Sequence, residues 1–218
     1  RNSRKKILMI EILFENTDLL VCIKPVGVPS QCDGAEDLVK FLKEQTGGEI
    51  YPVHRLDTAV GGTMIFAKNK KTAAYLSREI AEKRFVKTYL AVIEGTPEEK
   101  DGHFEDLLFK DKSKNKSYVV KRERKGVRRA SLDYRAIGES HGKTLVSVRL
   151  NTGRSHQIRV QFASRKMPLA GDGKYGSRDN GCDIALWSHT IEFQYDGREL
   201  LIKSFPDFGK YPWNLFKM

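Results

Sequence analysis

The stretch VHRLDTAVGG, residues 53–62, places His54, Arg55 and Asp57 within four positions and closes on two glycines. A lone loop aspartate is ordinarily a turn residue, because its short side chain bonds nearby backbone. Here a permanent cation stands two positions away. In an extended segment, positions 55 and 57 share a face, so Arg55 would keep a partly buried Asp57 carboxylate ionised. Gly61 and Gly62 then tolerate a turn that bulkier residues resist. The apolar run that follows, GTMIFAK at 62–68, reads as a buried strand.

Working outward, residues 7–14 and 19–24 read as strands, and the intervening KPVGVP at 24–29 forces a loop. Leu38, Phe41 and Leu42 have helical spacing over 37–45, stopped by Gly47-Gly48. Asn69 is a good N-cap for a helix to about Arg84. Ala73, Leu76 and Ile80 form its apolar face, with Lys70, Lys71, Arg78, Glu79, Glu82 and Lys83 elsewhere. Strands are expected over 85–94, 103–109, 117–121, 130–137 and 143–150. Residues 155–165 read as a helix capped by Ser155, with Ile158 and Phe162 on one face, and 167–178 as a glycine-rich loop. Residues 185–195 and 199–204 make a hairpin about Asp196-Gly197. Many strands with three helices, without strict alternation, indicate an α+β fold with a mixed, largely antiparallel sheet. No internal repeat or low-complexity linker appears. The turn-rich residues 96–102 are a candidate division between lobes, but residues 1–218 are expected to form one domain.

The chain carries 39 Lys+Arg against 28 Asp+Glu, a formal net charge of +11. Such a field draws in polyanions. Cys22, Cys32 and Cys182 are too few and scattered for a disulfide framework. The five histidines lack metal-ligand spacing, so neither a metal nor a membrane span is expected, and the expected location is cytoplasmic.

Three further segments are candidates for chemistry. In NTGRSHQIRVQ, residues 151–161, Gly153 permits close backbone approach and Arg154 could grip a phosphate. Arg159 lies one turn into the helix, able to point at a carboxylate from another segment. In KTYLAVIEG, residues 87–95, Tyr89 alternates with Leu90 across a strand and could stack on a base, although a core tyrosine is commoner. In residues 110–129, ten of twenty are Lys or Arg. Strands flanking 122–126 would make a basic hairpin, whose mutual repulsion favours a polyanion contact.

Together these segments resemble the RluA-type pseudouridine synthases, which carry HRLDxxTSG, KxYLAxxxG, GRxHQxRxH and PxxGDxxYG in that order. Here they read HRLD at 54–57, KTYLAVIEG at 87–95, GRSHQIRVQ at 153–161 and PLAGDGKYG at 168–176, while DLLVCIKPVGVPS at 18–30 looks like the family's first motif. The resemblance spans roughly residues 14–205. It implies a cleft across the sheet, flanked by helices and loops, and isomerisation of uridine to pseudouridine in ribosomal or transfer RNA without a metal or organic cofactor. By the same resemblance Asp57 is the catalytic nucleophile, attacking sugar or base, with Arg159 as its basic partner. Tyr89 stacks on the flipped base and assists proton transfer. Arg55 fills the space the base vacates, and His54, Arg154, His156, Gln157 and Ile158 contact substrate. Lys121, Arg122, Arg124, Lys125, Arg128 and Arg129 hold the RNA backbone. The family's TSG is Val60-Gly61-Gly62 here, so the loss of two hydroxyls is expected to loosen the Asp57 loop; the family's final histidine is Gln161. Relatives often carry an upstream S4-type domain, expected to be absent from this chain. A monomer is expected. The competing readings are an RNA-binding protein of the same fold without turnover and, less favoured for want of a paired second carboxylate, a hydrolase using Asp57.

Overall fold

A computed structural model describes residues 8–32 and 36–217. It contains eleven strands: β1 (Ile12–Glu15), β2 (Leu19–Lys24), β3 (Tyr51–Pro52), β4 (Gly61–Ala67), β5 (Val86–Glu94), β6 (Asp101–Asp111), β7 (Lys116–Val120), β8 (Val127–Ser140), β9 (Lys143–Leu150), β10 (Leu186–Tyr195) and β11 (Arg198–Lys203). Three helices accompany them: α1 (Leu38–Thr46), α2 (Lys70–Ala81) and α3 (Gln157–Ala163).

The strands form one sheet in the order β1-β2-β4-β10-β5-β9-β8-β6-β7, with β3 on β4 and β11 on β10. Among the described residues β4 and β10 run parallel and every other neighbour pair is antiparallel. The expected α+β class therefore holds. On either side of residues 96–102, β5 and β6 belong to the same sheet, joined through β9 and β8.

Alternation along the strands divides the core between two faces. Tyr89, Ala91 and Ile93 of β5 join Leu38 and Leu42 of α1 and Ile158 and Phe162 of α3. Leu90 and Val92 point the other way, toward Trp213 and Phe216. On that second side Leu76 of α2 packs with Leu19, Val21, Ile65 and Ala67.

Helix α2 starts at the expected cap, Asn69, which accepts from the Thr72 N–H at 2.8 Å; Asp37, which the sequence reading did not single out as a cap, accepts from the Lys40 N–H at 2.8 Å and caps α1. Helix α2 stops at Ala81, short of Arg84, because Lys83 turns into the left-handed region at φ 60°. Glu79, grouped with the solvated residues in sequence, is buried, and Arg84 folds back to hold it with Nη2–Oε1 at 2.6 Å. The first strand begins later than expected; Ile7 lies outside the described residues.

Two local expectations fail. Residues 122–126 do not cap a hairpin: β7 and β8 flank β6 on opposite edges, so the basic segment crosses the end of β6, and the hairpin is β6–β7. Ser155 does not cap α3. The preceding residue is His156 at φ 54°, with no side-chain cap, while the Ser155 Oγ accepts from Lys110 Nζ at 2.9 Å.

Candidate active site

The two glycines that close the opening stretch set the geometry. Gly61 and Gly62 pair with Trp187 and Ser188 where β4 meets β10. A Cβ on Gly61 would lie 2.5 Å from Trp187 Cζ3, and one on Gly62 would lie 2.6 Å from the Ser188 amide nitrogen. Gly62 also sits at φ 118°, where L side chains are strained. Only glycine lets these strands approach, and their approach places Asp57 at the rim of a cleft of about 570 Å³, nucleotide-sized by the usual range.

The loop bearing Asp57 is pinned on both sides. Ser30 Oγ donates to the Leu56 carbonyl at 2.8 Å and accepts from the Leu56 N–H at 3.0 Å. Fully buried Lys24 donates to the carbonyls of Pro25, Val28 and Thr58 at 2.8, 2.6 and 3.1 Å, and the Gly27 N–H also reaches Thr58 O. Burial lowers the Lys24 pKa to about 8 despite the opposing charge of Asp57. Val60 occupies the core and the Trp187 ring covers Gly61. The loop that two lost hydroxyls were expected to loosen is thus held by neighbouring backbone contacts instead.

The partner cation is Arg159. Segment 53–57 is not a strand; Arg55 is exposed and makes no hydrogen bond or ion pair among the described residues, so the expected shared face with Asp57 does not form. Arg159, on α3, reaches Asp57 Oδ2 with Nη1 at 3.3 Å. Its other edge grips Asp172 with Nε–Oδ2 at 2.6 Å and Nη2–Oδ1 at 2.8 Å, a bidentate pair that fixes the guanidinium plane. Burial works against the Arg159 charge, but Asp172 and Asp57 more than offset it and hold its pKa above the ordinary value. The guanidinium also lies 5.1 Å from the Tyr175 ring centroid.

His156 completes this wall. The Tyr175 hydroxyl accepts from the Ser117 N–H at 2.8 Å and shares a 2.9 Å hydrogen bond with His156 Nδ1. The other ring nitrogen, Nε2, sits 3.8 Å from Asp57 Oδ2. Burial first, then the charges of Arg159, Lys110 and Lys174, lower the His156 pKa to about 4, so the ring is neutral at pH 7. The strained αL backbone at His156 is what aims it inward.

Tyr89 lines the cleft from β5, alternating with Leu90 as expected. Burial, aided by the Asp57 charge, pushes its phenol pKa well above the ordinary value, so it stays protonated. Ile158 is also in the wall. His54 is partly buried; its Nε2 accepts from the Ile65 N–H at 3.2 Å, and its buried Nδ1 has no partner among the described residues. Gln157 is turned to its own chain: Oε1 accepts from Thr152 Oγ1 and the Arg154 N–H, and Nε2 donates to Ser131 O. Arg154 is exposed at the rim, its Nε donating to Arg129 O at 3.0 Å. Gln161 reaches away from the cleft to Asp106 at 2.8 Å.

Lys121, Arg122, Arg124, Lys125, Arg128 and Arg129 are all exposed. Arg129 is partly neutralised by Glu123 and Glu105, at 2.8 and 3.6 Å. Sequence reasoning assigned no role to Asp172, Tyr175, Ser30, Lys24 or Lys110. The first two stand within PLAGDGKYG, where a carboxylate and an aromatic inside a glycine-rich loop were the available signal. Among the described residues no cluster of three His, Cys, Asp or Glu is placed to hold a metal, and no helix is long and apolar enough to cross a membrane.

A family model described as RNA pseudouridylate synthase matches residues 18–164. The chain belongs to the RNA pseudouridylate synthase family. An uncharacterized RNA pseudouridine synthase of Zymomonas mobilis is 32% identical over 194 residues, covering 85% of this chain and 88% of the relative. A ribosomal large subunit pseudouridine synthase D of Borreliella burgdorferi is 29% identical over 216 residues, covering 92% of this chain and 66% of that protein. The solved structure of human RNA Pseudouridylate Synthase Domain Containing 1 matches with TM-score 0.80 at 21% identity, covering 97% of this chain and 89% of that one. Its counterpart Domain Containing 4 gives 0.77 at 21% identity, covering 91% and 89%. These two likenesses concern the fold alone.

Proposed function

We propose that this chain, as one catalytic domain acting as a monomer in the cytoplasm, isomerises specific uridines of ribosomal or transfer RNA, with Asp57 as nucleophile. The observation that carries the reading is the Asp57–Arg159–Asp172 chain at the rim of a nucleotide-sized cleft. In the reaction the N1–C1′ bond breaks, a C5–C1′ bond forms, the C5 hydrogen leaves to solvent and N1 gains a proton. Reactant and product are isomers, so no net oxidant or co-substrate is needed.

The target base must leave its stack, at a cost of a few kcal/mol. Stacking on Tyr89 offsets roughly 1–3 kcal/mol of that, and Arg55, unpaired at the cleft mouth, fills the vacated space. Asp57 attacks either the sugar or the base. Arg159 holds its carboxylate in line, and Asp172 keeps Arg159 from swinging onto the nucleophile fully. Protonated Tyr89 is a donor near the reacting atoms, and His156 Nε2 faces Asp57 beside them. Arg154 and the exposed basic segment 121–129 hold phosphates, and His54, Gln157 and Ile158 shape the wall.

The test is release of tritium from RNA labelled at uridine C5. Isomerisation frees that hydrogen, and the reading predicts release by the wild-type chain from ribosomal or transfer RNA transcripts. Binding without release would instead mark an RNA-binding protein that lacks turnover, and cleaved chain or free base as main product would mark a hydrolase.

A further inference from the structure

One cation in the cleft wall has no role in the chemistry above and, among the described residues, no hydrogen-bond or ion-pair partner. Lys87 stands two residues before Tyr89 on β5, so the two side chains share a strand face, with Cα atoms about 6.6 Å apart. Both line the cleft. Lys87 is partly buried, yet among the described residues its ammonium makes no hydrogen bond and no ion pair. Burial pushes its pKa down, with no carboxylate near enough to oppose the shift. A charge held this way costs stability unless something else meets it.

The surroundings leave room for that something. Gly153 faces the ammonium, and a Cβ built on it would lie 3.7 Å from Lys87 Nζ, so any longer side chain there would cover the approach. His54, with its unpartnered Nδ1 proton, lies close enough for the Lys87 charge to depress its pKa further. Exposed Lys83 and Arg149 also line the cleft, and Arg149 pairs with Thr88 next to Lys87 across β5 and β9.

We propose that Lys87 is a substrate-binding residue that takes a backbone phosphate next to the everted nucleotide, in the space that Gly153 leaves open. This inference rests on the synthase reading above. Phosphates are the anions RNA offers, and among the described residues no carboxylate answers this ammonium. The RNA strand then leaves the cleft along Lys83 and Arg149.

The test measures KM and kcat for tritium release from labelled ribosomal and transfer RNA transcripts, across salt concentrations, for wild type, Lys87→Met and Lys87→Gln. The neutral variants are expected to raise KM by about tenfold or more with kcat little changed. The slope of log affinity against log salt should fall by about 0.7–0.9, the signature of one lost phosphate contact. Thermal midpoints should stay level or rise, since an unpaired buried charge has been removed. An unchanged KM overturns the proposal. So does a raised KM with an unchanged salt slope or a lowered midpoint, which marks a packing role. A wild-type chain that releases no tritium from either RNA overturns the functional reading and this proposal with it, whereas release with indifferent Lys87 variants overturns this proposal alone.

Discussion

Asp57 faces a guanidinium whose other edge is already taken. That arrangement divides the work: Asp172, fully buried, anchors Arg159, and the remaining Nη1 meets the 27% exposed Asp57 side chain at 3.3 Å. A looser contact to Asp57 leaves that carboxylate free to take up the role proposed for it. The chain therefore predicts that Asp172→Asn harms both stability and turnover. It would leave Arg159 buried with half its compensation, costing about 2–4 kcal/mol in urea unfolding. Arg159 would also rotate onto Asp57, lowering tritium release by at least about tenfold. Unaltered stability in that variant would remove Asp172 as the anchor. None of this was legible in residues 53–62 alone, where Arg55 was the nearer cation. The partner came from a helix 102 positions away, because segment 53–57 forms no strand and Arg55 is exposed to solvent.

At the scale of elements, the parallel contact between β4 and β10 is the joint on which the cleft depends. Gly62→Ala would drive a methyl group into the Ser188 backbone at a positive φ, where neither strand can yield cheaply. A loss of about 2–4 kcal/mol in unfolding free energy is expected, together with lower turnover, because the Asp57 loop enters β4 directly. Wild-type stability in Gly62→Ala would contradict this account of the glycine pair.

Strand and helix existence was mostly readable, since period-2 and period-3.6 patterns and the Asn69 cap act locally. Pairing was not. Residues 110–129 look like a hairpin in sequence, yet β6 offers two edges and takes β7 on one and β8 on the other. The start of α3 was misread for a related reason. Ser155 is consumed by Lys110 and Ser117, tertiary contacts that outrank a local cap.

For the whole molecule, the net charge of +11 sets long-range attraction for RNA, while buried neutral groups set the pH response. Burial lowers the His54 pKa to about 3, with Lys87 adding to the effect. An unfolded histidine binds its proton near pH 6.5. Between those values the unfolded chain therefore holds more protons than the folded one, and stability falls as pH drops from 6.5 toward 3. His54 alone should contribute about 1.4 kcal/mol per pH unit in that window. Denaturant unfolding at pH 7.5, 6.0 and 5.0 should show the slope, and His54→Phe should flatten it even if the variant is less stable throughout. An equal slope in both proteins would contradict a neutral buried His54.

The charge field and the cleft converge on one carboxylate. Tritium release and RNA affinity should be measured side by side for the wild-type chain and Asp57→Asn on the same C5-labelled transcript. The expected result is release by wild type, at least about 10³-fold less by the variant, and nearly equal, salt-sensitive binding by both. Comparable release from Asp57→Asn would contradict the account.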